Sequence, residues 1–207
     1  MVTLALLVGV GLVAAYALKD VNGVGDDVGH EPTAREILLD RGSPSVTQGR
    51  GDVTLIVFAD YQCPACRIAD REMRSAVASD GNVRVVYKDW PIFGPLSQRA
   101  AKVALAAARQ GIYARVHHAL MASPRLDPAG LRQAIESSGG DWQRVLFDLS
   151  HPDAAIQRRL ETNARQAFSL GLGGTPGYLI GALRVRGALT KKEFITAFEE
   201  ARAMTGN

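Results

Sequence analysis

Hydrophobic and polar positions along the chain switch between two periods. Residues 53–58 (VTLIVF) are β-branched and aromatic, with no polar break after Thr54. That is the pattern of a strand buried on both faces. Asp60-Tyr61-Gln62 then makes a short loop that delivers Cys63-Pro64-Ala65-Cys66 to the start of a helix. Pro64 suits the first helical position, where its missing N–H costs nothing. Ile68, Ala69, Met73, Ala76 and Val77 follow helical spacing, with Arg67, Asp70, Arg71 and Arg74 elsewhere on the cylinder. Gly81-Asn82 ends that helix, and residues 83–87 (VRVVY) predict a second strand.

A helical block comes next. Residues 97–110 place Ala100, Val103, Ala104 and Ala107 on one face, with Gly111 as a stop. Residues 112–122 predict a second helix, and Asp127-Pro128 caps and opens a third. Asp141 opens a fourth, carrying Trp142, Val145, Leu146 and Leu149. Residues 152–170 predict the longest, with Ile156, Leu160, Ala164, Ala167 and Phe168 at helical spacing and Gly171 at its end. Strands at 177–180 and 183–186 then flank Gly181-Ala182, a two-residue hairpin turn. Thr190-x-x-Glu193 is a capping box that opens a final helix, with Phe194, Ile195, Phe198 and Ala201 facing inward. The predicted order is βαβ, a helical block, then a hairpin and a helix, which is an α/β class.

The first 50 residues differ in character. Residues 1–18 contain no charged side chain. Their length lies between a signal-peptide core and a short membrane helix. Ala15-Tyr16-Ala17 has the small-x-small form of a cleavage site, but no Lys or Arg precedes the run and Lys19 follows it. An uncleaved anchor is the reading favoured here, with a cleaved signal as the alternative. Either one delivers the remainder across a membrane. Residues 19–50, rich in Gly, Asp, Ser and Pro, are read as a tether, with residues 36–40 (EILLD) as a short turn or strand docked on the domain. The domain itself is placed at residues 51–204.

Composition narrows the function. The chain has 207 residues, 47% hydrophobic and 22% charged, which excludes wholesale disorder and collagen. Net charge is +3, and the basic residues are spread along the chain without the clustered face and interleaved aromatics of a nucleic-acid binder. Two cysteines exclude both a disulfide-dense scaffold and a zinc site with four cysteine ligands from one chain.

Those two cysteines carry the chemistry. At a helix N-terminus, unpaired backbone N–H groups and the positive end of the helix dipole stabilise a Cys63 thiolate. Cys66, one turn later, is placed to resolve a mixed disulfide formed at Cys63. Cys63 is thus the exposed, attacking thiol. A purely structural disulfide across four residues is a poor use of the only two cysteines. A metal site needs two more ligands, and the histidines are His30, His117, His118 and His151. Adjacent His117 and His118 point about 100° apart on a helix and are read as unable to face one ion. A metal shared between the CxxC pairs of two subunits stays open as an alternative. No cofactor is expected. Thr175-Pro176 immediately precedes a strand and is a plausible cis bond.

Three stretches together resemble the exported DsbA-like thiol–disulfide oxidoreductases of the thioredoxin superfamily. They are Phe58-Ala59-Asp60-Tyr61-Gln62-Cys63-Pro64-Ala65-Cys66, Lys88-Asp89-Trp90-Pro91-Ile92-Phe93-Gly94-Pro95 and Gly174-Thr175-Pro176. The resemblance runs from about Ile37 to Ala201. It implies a thioredoxin-like fold with a helical insertion, about residues 97–170, between the βαβ half and the C-terminal ββα half. It implies Cys63 and Cys66 as catalytic, and Tyr61, Pro64, Ala65, Thr175 and Pro176 as active-site or substrate-binding residues. It makes Pro176 a cis proline beside Cys63, with the Thr175 loop holding substrate by backbone pairing. It further implies a periplasmic or extracytoplasmic location, exported proteins with thiols or disulfides as substrates, and a membrane redox partner. The oxidase direction is preferred, with a reductase or isomerase, or a metal-delivery module, as the alternatives. Two departures stand out. Val57 occupies the position, six before the first cysteine, where many relatives carry a buried acid, and Asp60 is read as exposed. Ala65 stands where strongly oxidising relatives have His. Arg184 and Arg186 are read as solvated charges.

Overall fold

The computed structural model describes residues 23–150 and 154–205. The apolar run at 1–18, Lys19 and His151 lie outside the described residues. In chain order the strands are β1 (Asp26–Asp27), β2 (Ser45–Thr47), β3 (Val53–Ala59), β4 (Val83–Asp89), β5 (Gly177–Ile180) and β6 (Leu183–Arg186). The helices are α1 (Pro32–Leu39), α2 (Pro64–Asp80), α3 (Pro95–Ala108), α4 (Tyr113–Ala122), α5 (Pro128–Ser137), α6 (Trp142–Ser150), α7 (Ala154–Ser169) and α8 (Lys191–Thr205).

The strands form one sheet in the order β1-β6-β5-β3-β4-β2. Among the described strands only β3 and β4 pair in parallel, joined through α2, and β5 returns antiparallel to β3. The period of two along β3 divides the core. Leu55, Val57 and Ala59 face a cluster with Met73, Phe194 and Phe198 from α2 and α8. Ile56 and Phe58 face the opposite cluster with Ile37, Ala167 and Leu170 from α1 and α7. A strand covered on both faces cannot afford a polar break, which explains the unbroken VTLIVF run. The α3–α6 helices enter the first cluster as the insertion between the two halves of the sheet.

Most local signals hold. Asp127 Oδ1 accepts from Gly130 N at 2.8 Å, and the Thr190–Glu193 capping box forms in both directions. Gly81 takes φ 77° at the end of α2, a left-handed conformation that L side chains rarely adopt. Several helix faces are corrected. Ile68 is 55% exposed and Phe168 81% exposed. Each sits beside a better-buried neighbour, Ala69 or Ala167, and Asn163 and Gln166 complete the buried stripe of α7. In α6 only Val145 is buried, and Leu146 is 41% exposed.

The tether reading does not hold for residues 23–50. β1 pairs with β6 and β2 with β4, so this segment supplies both edges of the sheet. Residues 36–40 belong to the helical turn of α1 and its C-cap rather than to a strand, and α1 buries Ala34 and Ile37 completely. Asp40, at the end of α1, accepts from Lys88 Nζ at 2.6 Å and from Arg159 at 2.8 Å. Lys88 points from β4 into that carboxylate and is 1% exposed. Arg184 and Arg186 are paired rather than simply solvated. Both bond the Asp26 carboxylate, and they donate to the Leu170 and Gly171 carbonyls at the end of α7.

Candidate active site

The end of β3, the N-terminus of α2 and the start of β5 meet at one point. Cys63 is the N-cap of α2, and its sulfur accepts the Cys66 N–H at 3.4 Å. Pro64 sits at the first helical turn, as its lack of an N–H allows. The Thr175–Pro176 bond is cis. The Cys63 Sγ–H donates to the Thr175 carbonyl at 3.2 Å, which joins residues 112 positions apart. Cys63, Cys66, Thr175 and Pro176 thus come together as the sequence predicts, and both cysteines are free thiols. Burial pushes the Cys66 thiol far above its ordinary range, and its approach to Cys63 raises it further.

Three expectations change. Cys63 is 3% exposed, so the attacking thiol is recessed, its Sγ–H turned onto the Thr175 carbonyl. Asp60 is 1% exposed, not solvated. Its Oδ1 accepts from Gln62 N at 2.7 Å and Ser97 Oγ at 2.6 Å, and its Oδ2 from Ile92 N at 2.7 Å and Phe93 N at 3.0 Å. One buried carboxylate therefore ties the CxxC loop to the loop entering α3, a loop that carries the exposed Ile92 and Phe93, with the exposed Leu96 at the start of α3. Tyr61 is 1% exposed and turned inward, its hydroxyl 3.0 Å from His117 Nδ1. It supports the loop from behind rather than lining a substrate surface. Arg67 braces it further, donating to the Tyr61 carbonyl at 2.9 Å and to the Ser123 carbonyl.

Behind the loop lie two polar groups that sequence reasoning missed. Asp89, on β4 beside Ala59, is fully buried. Burial pushes its carboxyl up to about 7, against the pull of the nearby Tyr61 and Tyr113 hydroxyls. Asp70, on the buried face of α2, meets both His117 and His118 of α4, against the expectation that adjacent histidines cannot converge. His118 uses its near nitrogen, Nδ1, and His117 its far one, Nε2, so the two rings reach one carboxylate from different angles. Burial works to raise Asp70, but hydrogen bonds from the two histidines hold its carboxyl well below the usual carboxylate range.

The DSBA-like thioredoxin domain family matches residues 54–198, most of the sheet and all of the insertion. The chain belongs to that family. DsbA-like domains are thiol–disulfide oxidoreductases, and family and fold place this chain among them. A thioredoxin-like oxidoreductase from Silicibacter pomeroyi is 34% identical with a TM-score of 0.74, covering 79% of this chain and 94% of that one. A periplasmic thioredoxin-like protein from Salmonella enterica serovar Typhimurium is 26% identical with a TM-score of 0.72, over 84% of this chain and 98% of that one. A sodium/proton antiporter, NhaA 3 of Salinispora tropica, is 30% identical over 138 residues, 65% of this chain. The match covers only 21% of that antiporter's length.

Proposed function

We propose that the chain exchanges disulfides with exported proteins outside the cytoplasm, and that it acts mainly as a disulfide donor. The observation that carries this reading is the Cys63 sulfur at the α2 N-cap, accepting the Cys66 N–H at 3.4 Å. That contact places Cys66 one helical turn from the Cys63 sulfur, where it can resolve a mixed disulfide formed there. The donor direction rests on the chain's likeness to the DsbA-like family.

In the donor direction a substrate thiolate attacks Cys63 Sγ of the Cys63–Cys66 disulfide. The new bond joins substrate to Cys63, and Cys66 leaves as a thiolate. Burial favours its thiol form, so Cys66 takes up a proton. A second substrate thiolate attacks the substrate sulfur of the mixed disulfide and releases Cys63. The substrate loses two electrons and the cysteine pair gains them. The exposed Ile92, Phe93 and Leu96 offer an apolar rim for an unfolded substrate, and the Thr175 loop offers backbone pairing. A membrane redox partner then reoxidises the pair.

The extracytoplasmic setting is supported by the apolar run at 1–18 and by the periplasmic relative from Salmonella. Anchoring in the membrane rests on that run alone. Among the described residues, no helix is long and apolar enough to cross a membrane. Trapping tests the whole reading. Cys66→Ser incubated with an oxidised peptide substrate should accumulate a Cys63 mixed disulfide, visible by mass under non-reducing conditions. Cys63→Ser should form none. Equal adducts in both variants would sink the proposal.

A further inference from the structure

The Asp70–His117–His118 cluster lies outside the redox pair, and the proposed exchange reaction does not use it. Asp70 Oδ1 stands 3.0 Å from His118 Nδ1 and 3.5 Å from His117 Nε2, and all three atoms lie within 4.8 Å of one another. Ligands held about 2.0–2.1 Å from a tetrahedral zinc lie about 3.3–3.4 Å apart, so the two carboxylate–imidazole separations approximate two edges of such a site. The donor set, two imidazoles and a carboxylate, suits a borderline divalent cation.

The atoms behind the donors point the same way. Tyr61 Oη takes the other nitrogen of His117 at 3.0 Å, and Tyr87 Oη faces the other nitrogen of His118 at 3.5 Å. Arg74 Nε engages Asp70 Oδ2 at 3.3 Å, an oxygen that also lies 3.3 Å from His118 Nδ1. The outer nitrogen of each histidine thus has its own neighbour, which orients the inner nitrogens toward the Asp70 carboxylate as outer hydrogen bonds orient metal ligands. The Asp70 and His117 side chains are 4% and 2% exposed, whereas that of His118 is 23% exposed. His118 borders a cleft of about 190 Å³, together with Met73, Arg74 and Tyr87. Of the three ligands only His118 lines that cleft, so an ion and a fourth ligand would enter past His118.

We propose that Asp70, His117 and His118 form a three-ligand site for one zinc-class divalent cation, with water from the cleft completing the shell. A cation there cross-links α2 to α4. Through Tyr61 it also braces the loop that carries Cys63, two residues on. The site is independent of the thiols, so its failure would leave the disulfide-exchange reading standing.

The test uses the full chain carrying Cys63→Ser and Cys66→Ser, which removes competing thiolates. Zinc chloride is titrated calorimetrically, and X-ray absorption reads the ligand shell. The expected result is one zinc per chain, with nitrogen and oxygen ligands only and an imidazole signature. Adding His118→Gln should weaken binding at least tenfold, and Asp70→Asn should do the same. His118 lies at the rim, so its variant separates loss of a ligand from loss of fold, which circular dichroism checks. No saturable binding without the cysteines, or unchanged affinity in His118→Gln, would overturn the proposal. Either result would make the cluster a histidine–carboxylate hydrogen-bond network only.

Discussion

Asp89 shows how a single buried group sets a pH dependence. Its carboxyl is pushed from an ordinary value of 3.8 up to about 7 because burial penalises the charge. The folded state therefore holds this proton more tightly than the unfolded chain does. Below about pH 4 both states are protonated and Asp89 costs nothing. As pH rises from about 4 to 7 the unfolded state gains by ionising, so stability falls, and above about 7 it levels off. Asp89→Asn should flatten that descent and raise stability at pH 8 by on the order of 1–4 kcal/mol relative to the parent. Urea midpoints at pH 5 and pH 8 measure it, and an unchanged slope would show that Asp89 is not buried as a neutral acid. At this scale the sequence revealed the residues whose type is itself a signal: Cys63, Cys66, Thr175 and Pro176. It hid Asp60, Asp70 and Asp89, because an aspartate in a loop, on a helix or at the end of a strand reads as solvated. The groups that satisfy Asp60 and Asp70 come from residues at least 30 positions away, apart from the neighbouring Gln62 amide and Arg74.

Elements with long periodic patterns were legible, and short ones were not. The α2 helix announced itself through Pro64, its apolar spacing and Gly81, and the final helix through its capping box. The edge strands β1 and β2 have 2 and 3 residues, too few to display a period. The α1 helix buries only Ala34 and Ile37 of its 8 residues, so its stripe is lost in a polar stretch. Yet Ile37 is 0% exposed against β3 and α7. Ile37→Ala should therefore cost about 2–5 kcal/mol, as a truncation inside a well-packed core does. A chemical denaturation curve of the variant checks this. A cost below about 0.5 kcal/mol, the range of surface substitutions, would restore the tether reading for this segment.

Over the whole molecule, the element order disclosed the thioredoxin-like arrangement, since a βαβ unit, an insertion and a ββα return leave little topological choice. What the order could not disclose is how closely the insertion is engaged with the active site. Ser97 bonds Asp60, and His117 bonds Tyr61, so α3 and α4 brace the CxxC loop from two sides. This bracing gives the domain one rigid setting for Cys63, with the Thr175 carbonyl opposite it. The most direct measurement is the redox equilibrium of Cys63–Cys66 in the full chain against glutathione at pH 7, read by thiol alkylation. The account predicts one intramolecular disulfide per chain and a midpoint nearer about −120 mV than about −270 mV. A pair that forms no disulfide anywhere in the glutathione range would contradict the exchange chemistry itself, and a midpoint near about −270 mV would contradict its role as a donor.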